Sequence, residues 1–249
     1  QTRKHLAHKA VECIIDFGEK GFPGILVETI AIFINNLAAP ANTKVFSLTH
    51  RLHLTQPQAY IFDPELPYWI IYRNQLFDSV CRKLDFDVFE MFRDRQLTNK
   101  LLSSSGELRV LKSRNLSDDG KEILDIPGYD SYISYAAAKP LSVFQYLDAP
   151  NVYLTPNMTY KPRMMKKPPH CVVNGSLAIL IPKGGIVPTE KQLAYFSSEE
   201  YRAFYQIARN FQTRSLNVDA CSVFFYGLLR DEAKPAPEKF DTSVQLSFL

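Results

Sequence analysis

Apolar residues in this chain fall into short continuous runs more often than into regular alternation. Residues 13–17 form one such run, stopped by Gly18, which is the pattern of a buried strand; Leu6, Ala7, Ala10 and Val11 before it are spaced as on a helix, over residues 2–12. Residues 18–24 hold three glycines and Pro23 and read as a turn-rich connection. A second strand is expected over residues 27–37, where residues 29–34 are almost continuously apolar. Two strands joined this way suggest the end of a larger sheet, too little for an independent domain. Residues 45–54 alternate and predict an edge strand, and the proline-punctuated residues 56–67 read as a linker. Leu76, Val80, Leu84 and Val88 at four-residue steps predict a helix over residues 76–92, and residues 97–105 could start another. Short strands are expected at 109–112, 152–154, 171–173, 177–182 and 222–226. The strongest helix signal covers residues 198–210: Ser198 can cap it, Glu199 and Glu200 favour its first turn, and Tyr201, Phe204, Tyr205 and Ala208 share a face. Trp69, the only tryptophan, sits in an aromatic run read as core, and residues 236–249 are expected to form a loose tail.

Composition narrows the class. The 249 residues are 46% hydrophobic, with 17 Phe and 13 Tyr, which excludes disorder for most of the chain. No apolar run approaches the ~18 residues of a transmembrane helix. Cys13, Cys81, Cys171 and Cys221 are far apart with no Cys-x-x-Cys pair, so neither a zinc ribbon nor a disulfide framework is suggested and a reducing cytoplasm is expected. A chain starting at Gln1 reads as a fragment or processed product. The net charge of +3 is unevenly placed: residues 141–230 carry ten basic and five acidic side chains. That stretch includes Lys161, Arg163, Lys166 and Lys167, interleaved with Tyr153 and Tyr160. Such a mixture could grip a phosphate backbone and stack on bases, although a solvated surface loop has the same composition.

The motifs of several enzyme classes are missing. Lys183-Gly184-Gly185 lacks the earlier glycine and the Ser/Thr of a phosphate-binding loop, no Gly-x-Gly-x-x-Gly follows a strand, and no Gly-x-Ser-x-Gly occurs. His5 and His8 have no third ligand nearby in sequence. Asp219 with Glu232 and Lys234 loosely matches the acidic-plus-lysine pattern of metal-dependent nucleases. Asp63-Pro64-Glu65-Leu66-Pro67-Tyr68 has two residues too many for the Asp/Asn-Pro-Pro-Tyr turn that grips a flipped base.

Several stretches carry a resemblance, in order along the chain. Residues 14–24 followed by Glu28-Thr29-Ile30-Ala31-Ile32 resemble the last hairpin of the catalytic domain of TaqI-like adenine-specific DNA methyltransferases of type II restriction–modification systems. Residues 109–115, Pro162-Arg163, residues 175–182 and residues 195–205, leading through Gln212-Thr213-Arg214-Ser215-Leu216-Asn217, resemble segments of their target-recognition domains. The family uses S-adenosylmethionine, a Gly-rich cofactor loop and an Asn/Asp-Pro-Pro-Tyr loop, all N-terminal to the hairpin and missing from this sequence. The resemblance therefore implies a mixed α+β C-terminal fragment. It would comprise a hairpin remnant of the methyltransferase sheet over residues 1–55 and a DNA target-recognition domain over 56–235. The fragment itself would not bind the cofactor or methylate.

A methyltransferase takes its adenine out of the stack, while choice of the adenine falls to side chains at base edges. The base-reading candidates are Arg93, Arg95, Gln96 and Asn99; Lys112, Arg114 and Asn115; and Gln212, Thr213 and Arg214. Lys161, Arg163, Lys166 and Lys167, with Tyr160 among them, are the expected backbone contacts, which position without specifying. Structural roles remain open for some: Arg93 and Arg95 flank Asp94 and could pair with it, Asn115 could serve a turn, and Thr213 could end a helix. Double-stranded DNA is the expected partner, with a cognate restriction endonuclease in the same system. The other readings are the specificity portion of a fused restriction–modification enzyme, a specificity subunit, or a metal-dependent nuclease.

Overall fold

The computed structural model describes residues 2–213 and 217–231. The chain is mixed α and β and divides into two units. The first takes residues up to Arg82 and returns for 206–216; the second takes 83–205 and the stretch from Asn217. The division thus lies well beyond residue 55, because the segment read as a linker is part of the first unit's core.

The first unit opens with a short helix α1 (Thr2–Leu6), and the chain is already a strand by Ala10, so the expected helix ends early. Strand β1 (Ala10–Gly18) pairs antiparallel with β2 (Thr29–Asn35), the hairpin expected from the glycine turn. It also pairs parallel with β3 (Asn42–Ser47), which pairs antiparallel with β4 (Leu52–Pro57), giving the order β2-β1-β3-β4. Residues 45–54 therefore span the end of β3, a turn at 48–51 with Arg51 in the left-handed region, and the start of β4, rather than one edge strand.

A register shift between Val11 and Cys13 bulges the strand at Glu12, and buried side chains serve the Val11 backbone groups beside it. The Val11 N–H donates to Gln58 Oε1 at 2.8 Å and its carbonyl accepts from Thr43 Oγ1 at 2.7 Å. Gln58 belongs to α2 (Gln58–Ile61), whose Tyr60 and Ile61 are buried too. Beyond it, Arg73 binds Asp63 at 2.7 Å and Asp78 at 2.8 Å, and its guanidinium lies 4.4 Å over the Tyr60 ring. The prolines thus punctuate an ordered segment, and Asp63 is held in an ion pair.

Helix α3 (Gln75–Lys83) stops where β5 (Leu84–Asp85) and β6 (Phe89–Phe92) begin, so the helical spacing through Leu84 and Val88 does not describe the fold there. Asp87 has positive φ between those two strands. The helix expected at 97–105 shrinks to a 3-10 turn at Asn99–Leu101.

The second unit holds three small sheets. β7 (Leu108–Leu111) pairs antiparallel with β8 (Ser131–Ile133) and parallel with β11 (Cys171–Val173). β9 (Tyr153–Pro156) lies between β10 (Met165–Lys166) and β12 (Leu177–Pro182), and β12 also pairs with β6. β13 (Leu228–Leu229) pairs with β5. Val110, Leu111, Ile133, Leu154, Val173 and Leu177 build one core between the first two sheets, closed by α4 (Tyr135–Ala138). α5 (Glu190–Tyr195) precedes α6 (Glu199–Ala208), which Ser198 caps through the Tyr201 N–H, as the sequence predicts. The apolar run at 222–226 is a 3-10 helix, Ser222–Phe225, and not a strand. Among the described residues no helix is long and apolar enough to cross a membrane.

Candidate nucleic-acid interface

The chain leaves β7 at Leu111 and enters a 3-10 turn, Ser113–Asn115, that is held from three directions. Asn115 is fully buried: its side-chain oxygen accepts from Lys112 N–H at 3.0 Å, and its amide donates to Leu124 O at 3.0 Å and to Asp130 at 2.7 Å. Ser176 Oγ accepts from the Ser113 N–H at 2.9 Å. Arg163, only 8% exposed, donates to Ser113 O and Leu116 O, each at 3.2 Å, and to Lys161 O at 3.1 Å. The 112–115 cluster and the 161–167 cluster, 50 residues apart, therefore meet in one construction.

That construction changes the roles expected from sequence. Arg163 is buried and directs Nη1 and Nη2 onto main-chain carbonyls, with its Nε buried and unpartnered among the described residues, so it supports the turn instead of contacting phosphate. Lys167, 4% exposed, donates to Leu147 O at 2.7 Å and Pro168 O at 3.0 Å, and the same correction applies. Burial lowers the pKa of both groups, a cost met by carbonyl partners and not by a carboxylate within bonding reach. Asn115 serves the turn and does not face outward to read a base. Lys112 also points inward: its ammonium donates to Ser131 Oγ at 3.0 Å and to Tyr129 O, and lies 3.9 Å from the Tyr129 ring centroid. Burial, with Arg114 adding repulsion, pulls its pKa below the usual lysine range.

Arg114 is different. It is exposed, its guanidinium carbon sits 4.7 Å over the Tyr129 ring, and among the described residues it makes no hydrogen bond or ion pair. Tyr129 was not among the sequence candidates, yet Pro127-Gly128 before it is a turn signal that places an aromatic on a loop. That loop is pinned by Asp130, whose carboxylate accepts from Ile126 N–H at 3.0 Å and binds Arg109 at 3.0 Å; Arg109 also binds Asp125 at 2.6 Å. Burial opposes ionisation of Asp130, but these donors and the Asn115 amide outweigh it and hold its carboxyl below the ordinary range.

The remaining candidates scatter. Lys166 on β10 is exposed, Lys161 is exposed with its ammonium 3.6 Å from Asp118, and Tyr160 is 40% exposed. Arg93 is half-buried, its Nε donating to Gly175 O at 3.1 Å; Arg95 is exposed, and among the described residues neither pairs with Asp94. Asp94 instead accepts from the Leu97 N–H at 2.8 Å. The side chain of Gln96 accepts from Ser142 N–H at 2.7 Å, and Asn99 is exposed on its 3-10 turn. Gln212 and Thr213 belong to the first unit, where Thr213 Oγ1 donates to Glu19 at 2.8 Å and Glu28 at 3.1 Å. Arg214 and Ser215 lie outside the described residues, as do Glu232, Lys234 and the tail from 236. Asp219 accepts from Ser222 N–H at 2.7 Å and Cys221 N–H at 3.0 Å, so it caps the following 3-10 helix. Among the described residues no group of three His, Cys, Asp or Glu could hold a metal.

No protein-family model matches the chain, and no curated protein matches it.

Proposed function

We propose that this chain is the C-terminal part of a TaqI-like adenine-specific DNA methyltransferase, and that its second unit recognises double-stranded DNA by sequence. The observation that carries the reading is the sorting of polar side chains in that unit. Asn115, Arg163 and Lys167 are locked onto backbone groups, while Arg95, Arg114 and Lys166 are exposed and make no ion pair among the described residues. Groups of the second kind can neutralise phosphates and meet base edges; groups of the first kind fix where they stand. A further support comes from the first unit. Its β1–β2 hairpin follows the resemblance, and Ile30, Phe33 and Ile34 on β2 remain exposed, as expected of a sheet completed by more protein.

The residues present do not fit S-adenosylmethionine. Neither the Gly-rich loop nor the Asn/Asp-Pro-Pro-Tyr loop is in this sequence, so no catalytic step is assigned here. The proposed division of labour is chemical: extruding and methylating the adenine is the work of the parent enzyme, and choosing it is the work of this chain. A cognate restriction endonuclease would read the same site independently.

The test is a binding titration with a randomised duplex pool at two salt concentrations, followed by sequencing of the bound fraction. Enrichment of one short site, with affinity falling steeply in salt, is the expected result. Failure to bind duplex DNA at either salt would overturn the reading.

A further inference from the structure

We propose that Arg114 is the side chain that reads a guanine in the bound duplex, through the O6 and N7 acceptors of the major-groove edge. This rests on the DNA-recognition reading above. It goes beyond that reading by naming one residue and one base.

The argument is one of pre-organisation. A phosphate contact needs only positive charge within reach, and a mobile lysine such as the exposed Lys166 is sufficient. Reading guanine needs more, because two parallel N–H groups must meet two acceptors in one plane. Arg114 has the required fixings. Its main chain lies in the 3-10 turn clamped by Asn115, Ser176 and the buried Arg163. Its guanidinium lies over the Tyr129 ring, which favours a stacked plane and leaves the N–H edge free. The main chain that carries the ring is fixed, since Tyr129 sits in a turn closed by its own N–H to Ile126 O at 3.0 Å and by the Asp130 N–H to the same carbonyl at 3.0 Å. The carboxylates flanking Tyr129 in that loop are already taken: Asp125 and Asp130 bind Arg109. Arg114 thus stands among satisfied groups with its donors unspent.

The other arginines of this unit lack one or more of these fixings. Arg93 and Arg163 donate to carbonyls, Arg109, Arg202 and Arg230 are ion-paired, and Arg95 is exposed with no stacked ring.

The test sequences the bound fraction of a randomised duplex pool for the intact 249-residue chain and for three variants. Arg114→Ala should lose preference for guanine at one position of the enriched site by roughly 5- to 150-fold, and keep the remaining positions. Arg114→Lys keeps the charge without the fork and should not restore that preference. Tyr129→Phe keeps the ring and should retain it. If Arg114→Ala enriches the unaltered site, or binds all sequences more weakly while Arg114→Lys restores binding, Arg114 is at most a phosphate contact. The assignment then falls while DNA recognition stands. Duplex binding without enrichment of any site by the parent chain also overturns the assignment. No duplex binding at all overturns both readings.

Discussion

The two units differ in how completely they cover their own apolar surface. In the second, Leu108, Val110, Ile133, Leu154, Val172 and Leu177 are each no more than 5% exposed and share one core. Its exposed large apolar side chains, such as Leu124, Met158 and Val187, are scattered. The first unit buries Val11, Ile14 and Val45 completely, yet leaves Phe22, Ile25, Leu26 and Val27 exposed on one loop and Ile30, Phe33 and Ile34 exposed on β2. Scattered apolar residues are ordinary on a surface, whereas a contiguous run on an edge strand invites association. The second unit is thus self-sufficient in burial, and the first is built as though its sheet continued. In the parent enzyme proposed above, the rest of the methyltransferase domain would cover that strand.

The largest expected effects test whether each unit has its own core. Ile14→Ala in the first and Leu154→Ala in the second each remove a fully buried side chain and should cost about 2–5 kcal/mol. Trp69, the only tryptophan, belongs to the first unit and gives it a private fluorescence signal in urea unfolding. Ile14→Ala should shift that signal, and Leu154→Ala should shift the far-ultraviolet circular dichroism without moving it. One transition shifted equally by both variants would break the division into units.

A chemical probe sharpens the same point. Burial pushes the Cys81 thiol in α3 up to about 12, whereas Cys221 in the second unit is exposed. The thiolate is the reacting species, so at pH 9 about one Cys81 in a thousand is reactive. Alkylation followed by peptide mass analysis should label Cys221 first and Cys81 only near pH 12 or on unfolding. Equal labelling at pH 9 would mean that α3 opens readily and that the first unit's core is weaker than its burial implies.

Arg163→Ala comes next in size. It takes the arginine donor from Leu116 O and leaves Ser113 O only its bond from the Leu116 N–H, and should destabilise the second unit by about 1–3 kcal/mol in thermal unfolding. An unchanged melting temperature with uniformly weaker DNA binding would return Arg163 to the phosphate-contact role expected from sequence.

That reversal marks the limit of what the sequence discloses. Strand 177–182 and the helix after Ser198 were legible because a bounded apolar run and a cap are local signals. Residues 222–226 misled because the four apolar residues after Ser222 fit a buried strand or a tight helix equally well. The Asp219–Ser222 cap decided the case. The turn at 48–51 holds no glycine or asparagine and gave no warning of a hairpin. For the site, residue types and approximate positions were legible and roles were not. Whether an arginine faces water or three carbonyls depends on Ser113 and Leu116 lying next to Arg163 in space, which no window around position 163 contains. Tyr129 was missed for the same reason: its importance lies in being beneath Arg114.

The smallest stability change expected bears most directly on the comparison between units. Phe33 is 53% exposed on the edge strand, so Phe33→Glu removes little burial and should alter unfolding free energy by less than about 0.5 kcal/mol. Its effect on association should be larger, because a charge on an exposed edge opposes strand-to-strand pairing. Light scattering against concentration separates the two quantities. Unchanged stability with reduced self-association means that the β2 surface is bare in the isolated chain and competent to bind more protein. A stability loss approaching that of Ile14→Ala would mean that Phe33 is already packed within this chain. The contrast between a covered and an uncovered unit would then be lost, and with it the support that the bare strand gives to a sheet continuing beyond these residues.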